Sequence, residues 1–220
     1  MKINEKIILS FDLDNTIINN RKGIVNSFNY ALRKYNLPEI GKLEIEKMIG
    51  IPLNDMFAKI SNLNPLLLSS AFREYYGIEG IYQSKLLSGV KKKLKELKEY
   101  KFTLGVITSK KKEMAIKIVK YLKIEHFFDY ILGETEKIRS KLDPNLKNKL
   151  LEKYPGFKFI IIGDHPKDAM LSNALNCPFI GVLTGFHTAD QLKQAKCNNN
   201  KCLVLKNITQ ISVDKIYSLI

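Results

Sequence analysis

Two pairs of aspartates have types and spacing that suit chemistry. Asp12 and Asp14 stand two positions apart directly after an apolar run, and Asp164 and Asp168 stand four positions apart after another. A hard divalent cation binds two or three such carboxylates, and paired carboxylates can also divide nucleophilic and acid–base roles. Either pair alone has an ordinary explanation, a turn for the first and a helix N-terminal charge for the second. Together, the pairs predict a divalent-metal site with reacting carboxylates.

The strands that position these aspartates are predicted by short apolar runs that end abruptly at polar residues. The runs span residues 7–11, 102–107 and 159–162, and they are followed by Asp12, Thr108 and Gly163-Asp164. Each run is too short for a helix and rich in β-branched or aromatic residues, which is typical of strands buried on both faces. Helix-period segments lie between them, so we predict an α/β fold with a Rossmann-like, doubly wound parallel sheet. Ligands bind beyond the carboxyl ends of such strands, so the polar ends are expected to meet in one crevice.

Between residues 19 and 84 the pattern is helical only. Ile24, Phe28 and Leu32 lie on one apolar helix face, for which Asn19 or Asn20 is the expected N-cap. Further helical patterns continue to the end of this segment. We therefore predict a small α-helical cap domain, residues 19–84, inserted after the first strand of a core formed by residues 1–18 and 85–220. The insert is expected to stand over the crevice and to select the substrate.

Composition and charge exclude several classes of protein. The 220 residues are 45% hydrophobic and carry a formal net charge of +14, with lysines spread over the whole chain. No aromatic-interleaved basic block or nucleic-acid-binding motif is present. No apolar run approaches the roughly 20 residues that span a bilayer, and the N-terminus lacks a signal-peptide core. We expect a cytoplasmic protein that binds no specific nucleic acid and no membrane, and whose positive field favours anionic substrates.

Ordered motifs along the chain carry a family resemblance. They are FDLDNTI at 11–17, IGIPL at 49–53, SGV at 88–90, VITSK at 106–110 and IGD at 162–164. In these motifs the chain resembles the haloacid dehalogenase-like (HAD) superfamily of hydrolases, in particular its phosphoglycolate phosphatase-like group with a helical C1-type cap. The resemblance implies a Mg²⁺-dependent phosphomonoester hydrolase that acts on a small phosphorylated metabolite through an aspartyl-phosphate.

The family's catalytic roles transfer to matching positions of this sequence. The resemblance implies that Asp12 is the nucleophile and a Mg²⁺ ligand, and that Asp164 is a second ligand. Asp14 is the implied general acid and base, with its backbone carbonyl also on the metal. Thr108 is expected to hydrogen-bond the transferring phosphoryl group, and Lys141 to neutralise the charge on the nucleophile and phosphoryl oxygens. A carboxylate attacks an anionic phosphate only when positive charge offsets the repulsion, which explains the need for the metal and the lysine.

Supporting positions are implied as well. Asp168 is expected in the second shell of the metal or as the group that orients Lys141. Lys137 is a rival for the catalytic lysine, because SKLDP at 140–144 departs from the family's Lys-Pro-x-Pro. The predicted substrate-binding residues are Thr16, which also holds the motif loop, Ser109 and Arg21. Asn15 replaces a common glycine and tolerates unusual backbone angles, whereas the role of His165 stays open.

Other functions share this fold. A β-phosphoglucomutase-like phosphotransferase uses the same aspartyl-phosphate but has a cap histidine, and residues 19–84 contain no histidine. A non-catalytic binding or regulatory protein would not need all the expected acidic residues, which are present here. A dehalogenase neither uses Mg²⁺ nor needs the full acidic set. The identity of the phosphorylated substrate and the choice between monomer and homodimer are left open.

Overall fold

The computed structural model describes residues 6–196 and 201–220, and its backbone contacts divide the chain into two compact units. The first unit comprises Met1–Ile18 and Leu86–Ile220, and the second comprises Asn19–Lys85. The chain passes between them within two short strands, β2 (Ile18–Asn19) and β3 (Lys85–Leu86).

A six-stranded parallel sheet forms the centre of the first unit, with helices on both faces. Its strands, in chain order, are β1 (Ile7–Phe11), β4 (Thr103–Lys111), β5 (Tyr130–Glu134), β6 (Lys158–Gly163), β7 (Phe179–Val182) and β8 (Cys202–Leu205), and its helices are α5 (Val90–Glu99), α6 (Lys112–Tyr121), α7 (Pro144–Lys153), α8 (Pro166–Ala174), α9 (Ala189–Ala195) and α10 (Val213–Tyr217). The spatial order is β5-β4-β1-β6-β7-β8. The predicted α/β class with a Rossmann-like doubly wound sheet is confirmed.

The register of this sheet brings the predicted polar strand ends together. In β1, Phe11 lies opposite Val106 of β4 and Ile162 of β6. Asp12 directly follows Phe11. Thr108 and Asp164 each come two positions after the partner of Phe11 in their own strand. All five residues of β1 are buried, as expected for a central strand covered on both faces. The rigid centre of the fold therefore carries the first aspartate of the candidate site.

A buried polar contact joins β1 and β5 across the intervening strand β4. The hydroxyl groups of Ser10 in β1 and Tyr130 in β5 lie 2.5 Å apart, and both residues are buried. Gly105 in β4 makes this contact possible, because a Cβ atom there would lie 2.0 Å from the Tyr130 ring. The pair satisfies hydroxyl groups that would otherwise be costly to bury.

The second unit is helical, as its residue pattern predicts. It contains α1 (Arg21–Lys34), α2 (Lys42–Lys47), α3 (Leu53–Ala58) and α4 (Pro65–Ile78). The rings of Phe28 and Phe57 stack at a centroid distance of 4.1 Å in its core. Asn20 occupies the N-cap position of α1, but its side chain makes no capping hydrogen bond; the Asn19 Oδ1 atom accepts one from the Arg21 N–H instead. In the described part of the chain, no helix is both long and apolar enough to cross a membrane.

Candidate active site

Asp12 is held at the carboxyl end of the central strand. Its backbone N–H donates to the carbonyl of Ile162 at 2.7 Å, so the β1–β6 ladder continues into the site. The residue is buried, with 7% of its surface exposed. Its carboxylate is therefore fixed by the sheet and largely shielded from water.

A buried ammonium group joins the two acidic motifs. The Nζ atom of Lys141 donates to Oδ1 of Asp12 and, at 2.6 Å, to Oδ1 of Asp168. Lys141 is only 4% exposed, so both contacts lie in a low-dielectric environment. Lys137, the rival lysine, is exposed, and its backbone carbonyl accepts a hydrogen bond from Asn145.

The loop that carries Lys141 is fixed by the start of the helix that follows it. Asp143 is the N-cap of α7, and its side chain accepts hydrogen bonds from the backbone N–H groups of Asn145 and Arg139, both at 2.9 Å. Pro144 occupies the first helical position, where its missing N–H costs nothing. These local contacts define the chain path on either side of Lys141.

The second acidic motif spans the tight turn from β6 into α8, with Asp164 in the turn and Asp168 in the first turn of the helix. His165 is the N-cap of α8 and accepts from the Lys167 N–H at 3.0 Å through Nδ1, while the His165 N–H donates to Oδ2 of Asp168 at 3.1 Å. This reciprocal arrangement is a capping box built on a histidine. Both oxygens of Asp168 are therefore engaged, one by Lys141 and the other by the loop backbone. Thr16 donates to Oδ1 of Asp164 at 3.0 Å.

Two glycines leave room for these carboxylates. A Cβ atom at Gly163 would lie 2.2 Å from Oδ2 of Asp168, and one at Gly185 would lie 1.9 Å from Oδ2 of Asp164. Real side chains do not approach this closely, so any other residue at either position would displace a carboxylate. The N-terminal motif loop has a different requirement: Asn15 has a φ of 58°, in the left-handed region that asparagine tolerates.

Asp14 lies beside a second lysine. The Nζ atom of Lys110 is 3.4 Å from Oδ2 of Asp14, and their side chains are 12% and 19% exposed. The Lys110 N–H donates to Oγ1 of Thr108 at 3.2 Å, which ties the end of β4 together. Thr108 is buried, and Ser109 next to it is half-buried.

The donor set fits a hard divalent cation. Among the described residues, Asp12, Asp164 and Asp168 each offer a carboxylate oxygen within 4.8 Å of the others. With Asp14, the site holds four carboxylates against the ammonium groups of Lys141 and Lys110, a formal excess of two negative charges. Oxygen ligands and surplus negative charge are what Mg²⁺ requires.

Burial and crowding change the protonation of the site. Burial raises the pKa of the Asp12 carboxyl well above its ordinary value, and the neighbouring carboxylates reinforce this against the opposing effect of Lys141. Burial, with Asp168, likewise raises the pKa of Asp164 to about 7. Burial acts against the charge of Lys141, yet Asp12 and Asp168 outweigh it and raise the lysine pKa. A cation in the site would relieve the repulsion between the carboxylates.

Two histidines pack next to the second acidic motif. The rings of His165 and His187 meet edge to face at a centroid distance of 4.4 Å. Burial, and then the neighbouring His187, lower the pKa of His165 to about 3. His165 is therefore neutral near pH 7, and this is the form in which its Nδ1 atom can accept the capping hydrogen bond.

The structure brings together most of the predicted site residues that belong to the first unit. Hydrogen bonds connect Lys141 with Asp12 and Asp168, and Thr16 with Asp164. A carboxylate oxygen of Asp164 lies within 4.8 Å of those of Asp12 and Asp168, and Asp14 and Thr108 are joined through Lys110. Arg21 begins α1 in the second unit. The three carboxylates that could hold a cation include Asp168, which was expected in the second shell of the metal, while the ligand atom predicted for Asp14 is its backbone carbonyl.

Sequence reasoning missed Lys110 and Gly185. Lys110 lies within the VITSK motif, directly after the residues that were assigned roles. Gly185 lies shortly after β7, at the carboxyl end of that strand. Ligands commonly bind close to the backbone at such strand ends. The position of each in the chain was a signal, but neither its partner nor its distance could be read from the sequence.

Comparisons with known proteins extend over most of the chain. The family model described as haloacid dehalogenase-like hydrolase matches residues 8–182. Pyrophosphatase PpaX from Halalkalibacterium halodurans is 29% identical over 165 residues, which are 73% of this chain and 75% of that protein. A phosphoglycolate phosphatase from Haemophilus influenzae is 26% identical over 195 residues, 82% of this chain and 87% of that protein. Among solved structures, a haloacid dehalogenase-like family hydrolase from Streptococcus pneumoniae superposes with a TM-score of 0.81 at 26% identity, covering 94% of this chain and 96% of that chain.

Proposed function

The chain belongs to the haloacid dehalogenase-like hydrolases and is a phosphatase of that family. From this premise, we propose that it hydrolyses small phosphomonoesters with Mg²⁺ through an aspartyl-phosphate intermediate. The resemblance that the motifs indicated is thereby confirmed. The substrate, the metal and the roles of individual residues belong to the proposal.

The contact that carries this proposal is the buried bridge from Asp12 through Lys141 to Asp168. A carboxylate that is buried and surrounded by other carboxylates repels an anionic phosphate, and Lys141 removes part of that repulsion at the attacking group itself. Phosphoryl transfer depends mainly on such positioning and electrostatic compensation. The bridge is therefore the arrangement that a nucleophilic aspartate needs.

In the first displacement, a carboxylate oxygen of Asp12 attacks phosphorus while the bond from phosphorus to the ester oxygen breaks. Asp14 gives its proton to that leaving oxygen, so an alcohol departs. In the second displacement, Asp14 takes a proton from water, whose oxygen attacks phosphorus, and the bond to Asp12 breaks to release inorganic phosphate. Splitting the reaction this way replaces one difficult step with two easier ones. Thr108 is proposed to hydrogen-bond the transferring group.

The metal would be held by Asp12 and Asp164, together with the backbone carbonyl of Asp14. Asp168 is the weaker candidate for a ligand, because Lys141 and the His165 N–H already engage its two oxygens. Mg²⁺ at this place would supply positive charge to the phosphoryl oxygens. Thr16, which donates to Asp164, would then orient one of the ligands.

The test is phosphatase activity on p-nitrophenyl phosphate, with and without MgCl₂, for the wild type, Asp12→Asn and the exposed control Asp214→Asn. We expect Mg²⁺-dependent turnover in the wild type and the control, and a loss of at least about 10³-fold in Asp12→Asn with an unchanged circular dichroism spectrum. Near wild-type turnover of Asp12→Asn, or activity that survives EDTA, would refute the mechanism.

The names of two relatives suggest pyrophosphate and phosphoglycolate as the first natural substrates to assay. A mutase would instead require a bisphosphate for turnover. Running the same assays with and without an added bisphosphate detects that requirement. Selection of the substrate by residues 19–84 stays a prediction; exchanging that segment for the equivalent segment of a relative should change the substrate profile.

A further inference from the structure

We propose that Lys110 is a substrate-binding cation on the leaving-group side of the site, so that the preferred phosphomonoesters carry a second anionic group close to the ester oxygen. This inference rests on the proposed function, in which Asp14 protonates the leaving oxygen. It assigns a role to a residue of the VITSK motif that the proposed reaction does not use.

The two lysines of the site have different surroundings. Lys141 is 4% exposed and lies between the carboxylates of Asp12 and Asp168, so its charge is committed to the nucleophile. Lys110 is more accessible, with 12% of its side chain exposed, and the carboxylate that it faces is that of Asp14. The positive charges of the site are therefore divided between the nucleophile and the acid.

The position of Lys110 relative to the leaving group follows from the chemistry of Asp14. A general acid works within about 2.6–3.2 Å of the atom that it protonates. Because the Lys110 Nζ atom is 3.4 Å from Oδ2 of Asp14, it lies near the ester oxygen whenever Asp14 is in place to protonate it. A carboxylate or phosphate one or two bonds beyond that oxygen comes within reach of the ammonium group.

The charge of the site makes Lys110 decisive for such substrates. Asp12, Asp14, Asp164 and Asp168 all repel a second anion, and a bound metal would act chiefly on the transferring phosphoryl group. Among the contacts of the described residues, the pair with Asp14 places the Lys110 ammonium group beside the proposed general acid. Its backbone is anchored by the hydrogen bond to Thr108, so the base of the side chain has a defined position.

The experiment compares two nearly isosteric substrates that differ in the charge of the leaving group. 2-Phosphoglycolate releases an anionic alcohol, and 2-hydroxyethyl phosphate releases a neutral one. The value of kcat/KM is measured for both with the wild type, Lys110→Met, Lys110→Gln and Lys110→Arg, and with Lys117→Met as an exposed control on α6. Pyrophosphate serves as a second substrate with an anionic leaving group.

We expect Lys110→Met and Lys110→Gln to lower kcat/KM for 2-phosphoglycolate and pyrophosphate at least about tenfold, which corresponds to about 1.4 kcal/mol. The loss for 2-hydroxyethyl phosphate should be at least about threefold smaller than that for 2-phosphoglycolate, Lys110→Arg should restore part of the preference, and Lys117→Met should change neither value. The wild type itself should have a higher kcat/KM for 2-phosphoglycolate than for 2-hydroxyethyl phosphate. This comparison holds even if a Lys110 variant fails to fold.

Two results would overturn the inference while leaving the phosphatase intact. One is an equal loss for both substrates, because Lys110 would then act only by holding Asp14. The other is a wild type without preference between the two substrates. A wild type that hydrolyses no phosphomonoester in the presence of Mg²⁺ would instead sink the proposed function, and the inference with it.

Discussion

Replacing Lys141 with methionine tests the electrostatic design of the site most directly. The substitution keeps the length and the apolar stem of the side chain but removes the charge that bridges Asp12 and Asp168. Lys137→Met is the matched control, since that lysine lies four positions earlier and is exposed. The two variants differ only in whether the lost ammonium group was buried between carboxylates.

The expected cost comes from the two carboxylates left behind. Both partners are at least nine-tenths buried, and removing one member of a buried ion pair typically costs about 3–5 kcal/mol. For a chain of this size each kcal/mol lowers Tm by roughly 2–4 °C, so Lys141→Met should lose roughly 6–20 °C. Proton uptake by Asp12, whose pKa burial already raises, should keep the loss toward the lower end. Lys137→Met should stay within about 0.5 kcal/mol of the wild type.

Thermal and urea unfolding without added metal measure these differences, and p-nitrophenyl phosphate hydrolysis measures the catalytic loss. The double variant Lys141→Met/Asp168→Asn should regain part of the stability, because it no longer buries the second negative charge, but none of the activity. Equal stability and activity of Lys141→Met and Lys137→Met would refute the reasoning. A greater catalytic loss in Lys137→Met than in Lys141→Met would show that Lys137 is the catalytic lysine.

Three further predictions concern a glycine and a histidine next to the carboxylates and a buried thiol in the hydrophobic core. Gly185→Ala should raise the Mg²⁺ concentration needed for half-maximal phosphatase activity about 10–100-fold, because its Cβ would lie 1.9 Å from Oδ2 of Asp164. Gly41→Ala is the control, since a Cβ there meets nothing within 4 Å and the Mg²⁺ titration should be unchanged. His165→Ala should lower the free energy of unfolding by about 1 kcal/mol through the lost cap, and His165→Ser should recover most of it in urea titrations; equal stabilities would contradict the capping role. The thiol of Cys177 should resist iodoacetamide at pH 8 in the folded protein and react after unfolding, since burial raises its pKa to about 12; mass spectrometry of the labelled peptide decides this.

Much of the fold could be predicted from local patterns. The period of the apolar residues distinguishes buried strands from amphipathic helices, because each element must cover its own part of the core. The polar residue after each strand could be assigned to the ligand-binding edge, since parallel strands with helical crossovers place their carboxyl ends on one side. Asp12 and Asp164 were predicted in this way, and the structure brings their carboxylates together.

The helix caps show where local patterns stop being sufficient. Asn19 and Asn20 have the same side chain and stand next to each other before α1, so composition could not choose between them. The backbone direction at the start of the helix decided that the Asn19 side chain accepts the N–H of Arg21. His165 is a similar case, because histidine is uncommon as an N-cap and its role depends on the loop around it.

Sequence alone determined which residue types could perform the chemistry and which strand ends would carry them, because both are encoded within a few neighbouring positions. Tertiary structure decided which of the two candidate lysines, Lys141 or Lys137, reaches the carboxylates of the site. Lys141 and Asp12 are 129 positions apart, and a loop could have delivered Lys137 to the same place. The pairing of Lys110 with Asp14 and the closeness of Gly185 to Asp164 have the same origin. Each depends on the path of a loop that the packing of the whole sheet fixes, and on distances of a few ångströms that no local pattern records.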